Sequence, residues 1–96
     1  MIVEYSKRAI ADLSLISDHY RSVADARVAE RFEERFRTVI ERVCRRPESS
    51  RPVVQRPGVR IAFLISFPYK VFYRVIGTDR IKILHVRHTA RRTLGE

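Results

Sequence analysis

Tyr69-Lys70-Val71-Phe72-Tyr73-Arg74-Val75-Ile76, then Gly77-Thr78-Asp79, then Arg80-Ile81-Lys82-Ile83-Leu84-His85-Val86-Arg87-His88, is the stretch that decides the fold. Both long runs are rich in β-branched and aromatic residues, and the Gly-Thr-Asp connection between them supplies turn residues. Upstream, Val59 to Ser66 is a third run of the same kind, separated from the second by Phe67-Pro68. Three strands on such short connections predict an antiparallel meander. Apolar residues occur at both parities, as in Ile61-Ala62-Phe63-Leu64-Ile65, so neither sheet face reads as fully solvated. One face is expected to take helices, and the other to be partly covered by a partner or by the chain ends.

Further upstream, Pro47 to Gly58 holds three of the four prolines and reads as a loop. Before it the apolar period is helical. Val28, Phe32, Phe36, Val39/Ile40 and Val43 recur by threes and fours, which predicts a helix capped by Asp25 or Ser22 and ended by Pro47. Its outer face alternates sign, with Glu33 and Arg37 in the favourable i, i+4 order, and reads as solvated. Ala9, Leu13, Ile16 and Tyr20 form the stripe of an earlier helix from Lys7 to about Tyr20, with Ser6 as its N-cap and Arg21 to Ala24 as a connection. Two amphipathic helices on so short a link pack antiparallel. Ile2-Val3-Glu4-Tyr5 is a short strand in front of them. The predicted fold class is α+β: an antiparallel two-helix hairpin on an antiparallel sheet, in the order β-α-α-β-β-β, as a single domain over residues 1–96.

No window approaches the roughly 18 uninterrupted apolar residues of a membrane helix, and the first residues lack the pattern of a secretory signal, so the cytoplasm is the expected location. Cys44 is the single cysteine, which excludes an intramolecular disulfide and a thiolate cluster; it reads as a helix-packing residue, and no cofactor or metal is expected. Residues 1–50 hold ten Lys/Arg against nine Asp/Glu, whereas residues 51–96 hold ten against two. Nearly all of the net charge of +9 therefore belongs to the C-terminal half, and a basic field there attracts phosphate or an acidic partner.

The local motifs narrow the fold to a family. Ser6-Lys7-Arg8-Ala9-Ile10-Ala11-Asp12-Leu13 with Ile16 and Tyr20, Gly58-Val59-Arg60, Tyr69-x-x-x-Tyr73-Arg74-Val75, and Ile81-x-Ile83-Leu84-x-Val86-x-His88 before Arg91-Arg92 occur in that order. Together they resemble the ParE/RelE toxin superfamily of type II toxin-antitoxin systems, and the ParE branch most. The resemblance implies a toxin neutralised by a cognate antitoxin, ParD-like or similar, with operator DNA bound only through the antitoxin and no membrane partner. Within the superfamily the ParE branch inhibits DNA gyrase without chemistry of its own, and the RelE branch cleaves messenger RNA on the ribosome.

Arg60, Tyr73, Arg74, His88, Arg91 and Arg92 are the expected target-binding residues, and the ribonuclease alternative would use Arg60, His88 and Arg91. Metal-free RNA cleavage needs an acid, a base and cations converging on one phosphate. His85 and His88 lie three apart on a strand, so they point to opposite faces, and the segment after Arg60 is apolar where the ribonuclease branch carries basic residues. Both features favour a gyrase inhibitor. A third reading is a non-toxic member that serves only in an autorepressor complex. Induction of the chain alone should arrest growth; cells that grow unhindered would identify the third reading instead.

Overall fold

The computed structural model describes residues 1–90, which form β1 (Ile2–Tyr5), α1 (Lys7–Val23), α2 (Ala26–Arg45), β2 (Arg51–Pro52), β3 (Val59–Phe63), β4 (Tyr69–Ile76) and β5 (Arg80–His88). The sheet runs β1-β5-β4-β3-β2, and the helical hairpin covers one of its faces. The α+β layout expected from the sequence is therefore observed, with β3, β4 and β5 as an antiparallel meander. The sheet is mixed rather than wholly antiparallel, because β1 pairs with β5 in parallel. Parallel strands need a crossover of about a dozen residues or more, and the helical hairpin with the strands behind it more than supplies one.

Each helix starts where a side chain can satisfy an orphan N–H. Ser6 accepts from Ala9 N–H at 2.9 Å, and Asp25, not Ser22, accepts from Val28 N–H at 3.1 Å. The first helix runs on through Val23, absorbing residues expected in the connection, so only Ala24 and Asp25 join the helices. Ala9, Ile16, Phe32, Phe36, Val39 and Val43 are buried against Val71, Tyr73, Ile81 and Ile83 of the sheet. Full burial of one such side chain, Phe32 for instance, contributes about 1.5–3 kcal/mol. Cys44 packs half-buried at the edge of this core. Glu33 does not keep to the solvated face. It accepts from Ser17 Oγ at 2.9 Å across the hairpin and lies 3.9 Å from Arg21, rather than pairing with Arg37.

Two further departures reshape the sheet's far end. The third run ends as a strand at Phe63, not Ser66, because the chain must turn into β4; Ser66 takes a left-handed φ of 72° there. Within the proline-rich loop, Arg51 and Pro52 pair with Ile61 and Arg60 as an edge strand, a position that tolerates proline's missing N–H.

The meander holds one irregularity on which much depends. Phe72 pairs with His85 but Tyr73 pairs with Ile83, so Leu84 is an extra residue in β5. Leu84 and His85 consequently point to the same side, away from the helices. Polar side chains of α1 and its cap hold both flanks of this bulge: Ser6 Oγ donates to the Leu84 carbonyl at 2.6 Å, and Asp12 accepts from Val86 N–H at 3.0 Å. Asp12→Ala should leave the Val86 N–H without its partner and lower stability by about 1–3 kcal/mol. In a domain this small that lowers the thermal midpoint by roughly 4–8 °C per kcal/mol, and circular-dichroism melting reads the difference.

Candidate functional site

The helix-free face of the sheet gathers most of the basic residues of β4 and β5. Lys70, Phe72, Arg74 and Ile76 alternate onto this face from β4, opposite Arg87, His85, Lys82 and Arg80 of β5. At its centre the rings of Phe72 and His85 stack 4.2 Å apart at 16°. Arg56, from the loop, reaches over this stack: its Nη1 lies 3.0 Å from His85 Nε2 and its guanidinium carbon 5.6 Å from the Phe72 centroid. Lys70 Nζ lies 5.7 Å from the same centroid, and Arg87 Nε lies 3.4 Å from His85 Nδ1. A smaller apolar cluster of Val53, Val59, Ile61, Phe72 and Leu84 supports the arrangement. Among the described residues the second face is partly covered by the internal loop, through Val53 and Arg56, and not by the partner or chain ends expected from the sequence.

Two facing pairs on this face carry like charge, while Glu4 of β1 stands across from Lys82 and bridges Arg80 at 3.1 Å. Lys70 stands directly across from Arg87, and Arg74 directly across from Lys82, on one side of the sheet. Like charges in facing positions destabilise a sheet. Strands β3, β4 and β5 contain no Asp or Glu. Gly58 lets Arg74 lie where it does: with φ of 79° it has no side chain, and a Cβ there would come within 2.9 Å of Arg74 Nη1, which donates to the Pro57 carbonyl at 3.3 Å.

The expected site residues separate. Arg74 is exposed on the cationic face. Tyr73 is fully buried on the opposite, helix-side face and donates to the Pro47 carbonyl at 2.6 Å, so it anchors the loop instead of meeting a target. Burial raises its pKa, with Ser50 and the Arg60 charge acting in the other direction. Arg60 is half-buried and spends Nη1 on the Glu48 and Ser50 carbonyls at 3.1 and 2.7 Å. His88, at the end of β5, meets the Tyr69 ring edge-on at 5.3 Å and accepts from Ala90 N–H at 3.1 Å. Tyr69 itself has its pKa pushed up to about 12, first by burial and then by Tyr20 beside it. Arg91 and Arg92 lie outside the described residues.

Arg60 and His88 share a face but not a locality. Arg60 pairs with Tyr73 on one side of β4 and His88 with Tyr69 on the other. Four residues along the strand and two strand spacings across it separate them by roughly 13 Å and about 10 Å. They do not converge on one phosphate. His85, the histidine on the cationic face, does not fill the gap: a guanidinium only donates, so Nε2 accepts from Arg56 and is occupied as a base. The arrangement is suited to binding an anionic surface and poorly suited to proton transfer. Arg56 and Lys82 are not among the residues the sequence offers, and His85 and Arg87, candidates there only for RNA cleavage, are not in the expected target-binding set. For Arg56 no local signal marks a loop arginine that folds back over a strand, and for His85 the bulge decides its face.

The sequence model of the family described as ParE toxin of type II toxin-antitoxin system, parDE, matches residues 3–93. A solved structure, a chromosomal ParDE toxin-antitoxin system from P. aeruginosa, is similar with a TM-score of 0.78 at 27% identity. The match covers 92% of this chain and 95% of that one. No curated protein matches.

Arg74→Glu converts the Arg74–Lys82 pair into an opposite pair, with only Val59 facing it from β3, and should stabilise the fold by about 0.2–1 kcal/mol. Thermal melting reads the gain, and melting at high salt should shrink it; a lowered midpoint at low salt would contradict the repulsion.

Proposed function

Because the chain belongs to the ParE toxin family of type II toxin-antitoxin systems, we propose that it acts in the cytoplasm by binding DNA gyrase, without chemistry of its own, and that a cognate antitoxin neutralises it. The observation that carries this reading is the cationic face itself, where two pairs of basic residues stand opposed around a stacked Phe72–His85 centre. Natural proteins keep destabilising surface features where a function uses them, and cations of this kind accelerate association with an anionic partner. The reading is supported further by what does not converge. Arg60 and His88 are occupied with loop and C-terminal contacts, and His85 has Nε2 engaged by Arg56. The residues of this chain assigned to the target are therefore Arg74, Lys82 and Arg87, with Arg56 beside them; Arg91 and Arg92, four and five residues beyond Arg87, extend the proposal along the sequence.

Added to purified gyrase, the protein should suppress supercoiling or cause cleaved DNA to accumulate. The double variant Arg74→Gln/Arg87→Gln, which removes one cation from each facing pair, should weaken that effect about tenfold or more, as loss of interface charges does, while it melts no lower than the parent. Unaltered gyrase activity at large excess of folded protein would sink the proposal. Codon-phased messenger 5′ ends after induction would put a ribosome-dependent ribonuclease in its place.

A further inference from the structure

β1 is the outermost strand of the sheet, and one side of it is open. Ile2 N–H donates to the Asp79 carbonyl at 2.7 Å and Ser6 N–H to the Ile83 carbonyl at 3.0 Å, so Ile2, Glu4 and Ser6 turn their backbone groups toward β5. Val3 and Tyr5, alternating with them, turn N–H and C=O away from it. Among the described residues no strand pairs with that side. The opposite edge is protected, since β2 is two residues long and contains Pro52. β1 has neither device: its one charge, Glu4, is bridged to Arg80, while Ile2 is 55% and Tyr5 40% exposed. An open cleft of about 620 Å³ runs from Tyr5 and Ile40 to Glu34, Arg35, Arg37 and Glu41 of α2.

We propose that this edge pairs with the β1 edge of a second copy of the chain, antiparallel and about a two-fold axis. Charge decides for a second copy. The chain carries +9, so two copies can approach only where cations are locally balanced, whereas an acidic partner gains more from the β4–β5 face. β1 holds an acid and no base, and the α2 cleft at Tyr5 holds two of each sign, the mixture that a self-complementary surface needs. The register that uses both open residues sets Val3 against Tyr5 of the second copy and Tyr5 against its Val3. That gives four N–H···O=C bonds, and on the helix side two aromatic–β-branched pairs. The Glu4 side chains meet at the axis, where each has Arg80 of its own chain at 3.1 Å. The inference does not rest on the gyrase reading.

A pairing built on a four-residue strand is small, and interfaces below about 1,200 Å² are weak ones. Sedimentation velocity of the full chain from about 1 μM to about 1 mM therefore tests it. The sedimentation coefficient should rise with concentration from that of a monomer towards that of a dimer. Val3→Pro should raise the dissociation constant about tenfold or more, because the two-fold removes two donors at once, and an edge position whose N–H faces solvent tolerates proline. Val3 also packs on the core. Ile2→Lys, an edge lysine at an exposed position, should weaken the dimer with melting unchanged, which separates lost pairing from lost folding. Added salt should strengthen the dimer, since it screens repulsion between two chains of +9 and leaves backbone hydrogen bonds in place. A monomer at every concentration, which would leave the edge to some other chain, a dimer indifferent to both variants, or one that salt dissociates would each overturn the proposal.

Discussion

The extra residue in β5 is the constraint from which the arrangement of this protein's second face follows. Up to Ile83, the odd-numbered positions of β5 point at the helices; after Leu84, Val86 takes over that role and His85 turns outward. In an unbulged strand His85 would enter the core beside Ile81 and Ile83, and Val86 would face out. A bulge disrupts its ladder and needs support. Here α1 and its cap provide it, with Ser6 on the Leu84 carbonyl and Asp12 on the Val86 N–H. Ser6 thereby has two roles in one hydroxyl, accepting as the N-cap of α1 and donating to the bulge. The helix that covers one face of the sheet thus determines which side chains appear on the other.

The two faces answer to different demands. The helix-side face is dominated by apolar burial, with Phe32, Val71, Ile81 and Ile83 sealed from solvent. The opposite face sets cations across from cations around an aromatic stack. Repulsion on that face is worth at most about 1 kcal/mol per pair, small beside the burial of a single core side chain. A fold secured from one side can carry it, and a partner bearing negative charge would relieve it.

The segment from Pro47 to Gly58 connects the faces. On the helix side, the Tyr73 hydroxyl and the Arg60 guanidinium hold the carbonyls of Pro47, Glu48 and Ser50. On the other side, Val53 joins the small apolar cluster and Arg56 lies over Phe72 and His85. Two side chains with the chemistry of target contacts are thereby used as tethers, and a loop arginine becomes part of the surface.

The sequence by itself determined the two helices and the meander, because periodicity and capping act over a few residues: the stripe from Phe32 to Val43 and the runs around Gly77 each contain their own instructions. It also determined that His85 and His88 diverge, since both lie beyond the bulge and strand alternation holds between them. The motifs around Asp12, Arg60, Tyr73 and His88 were legible as belonging to one family, without showing which of them are structural. Only the tertiary structure decided that β1 joins β5 in parallel, that Tyr73 is buried while Arg74 beside it is exposed, and that Arg56 meets His85 from 29 residues away. These are outcomes of long-range packing. A bulge is stabilised by partners some seventy residues distant in sequence, and a side chain's face is fixed by the register such contacts impose, which no local pattern contains.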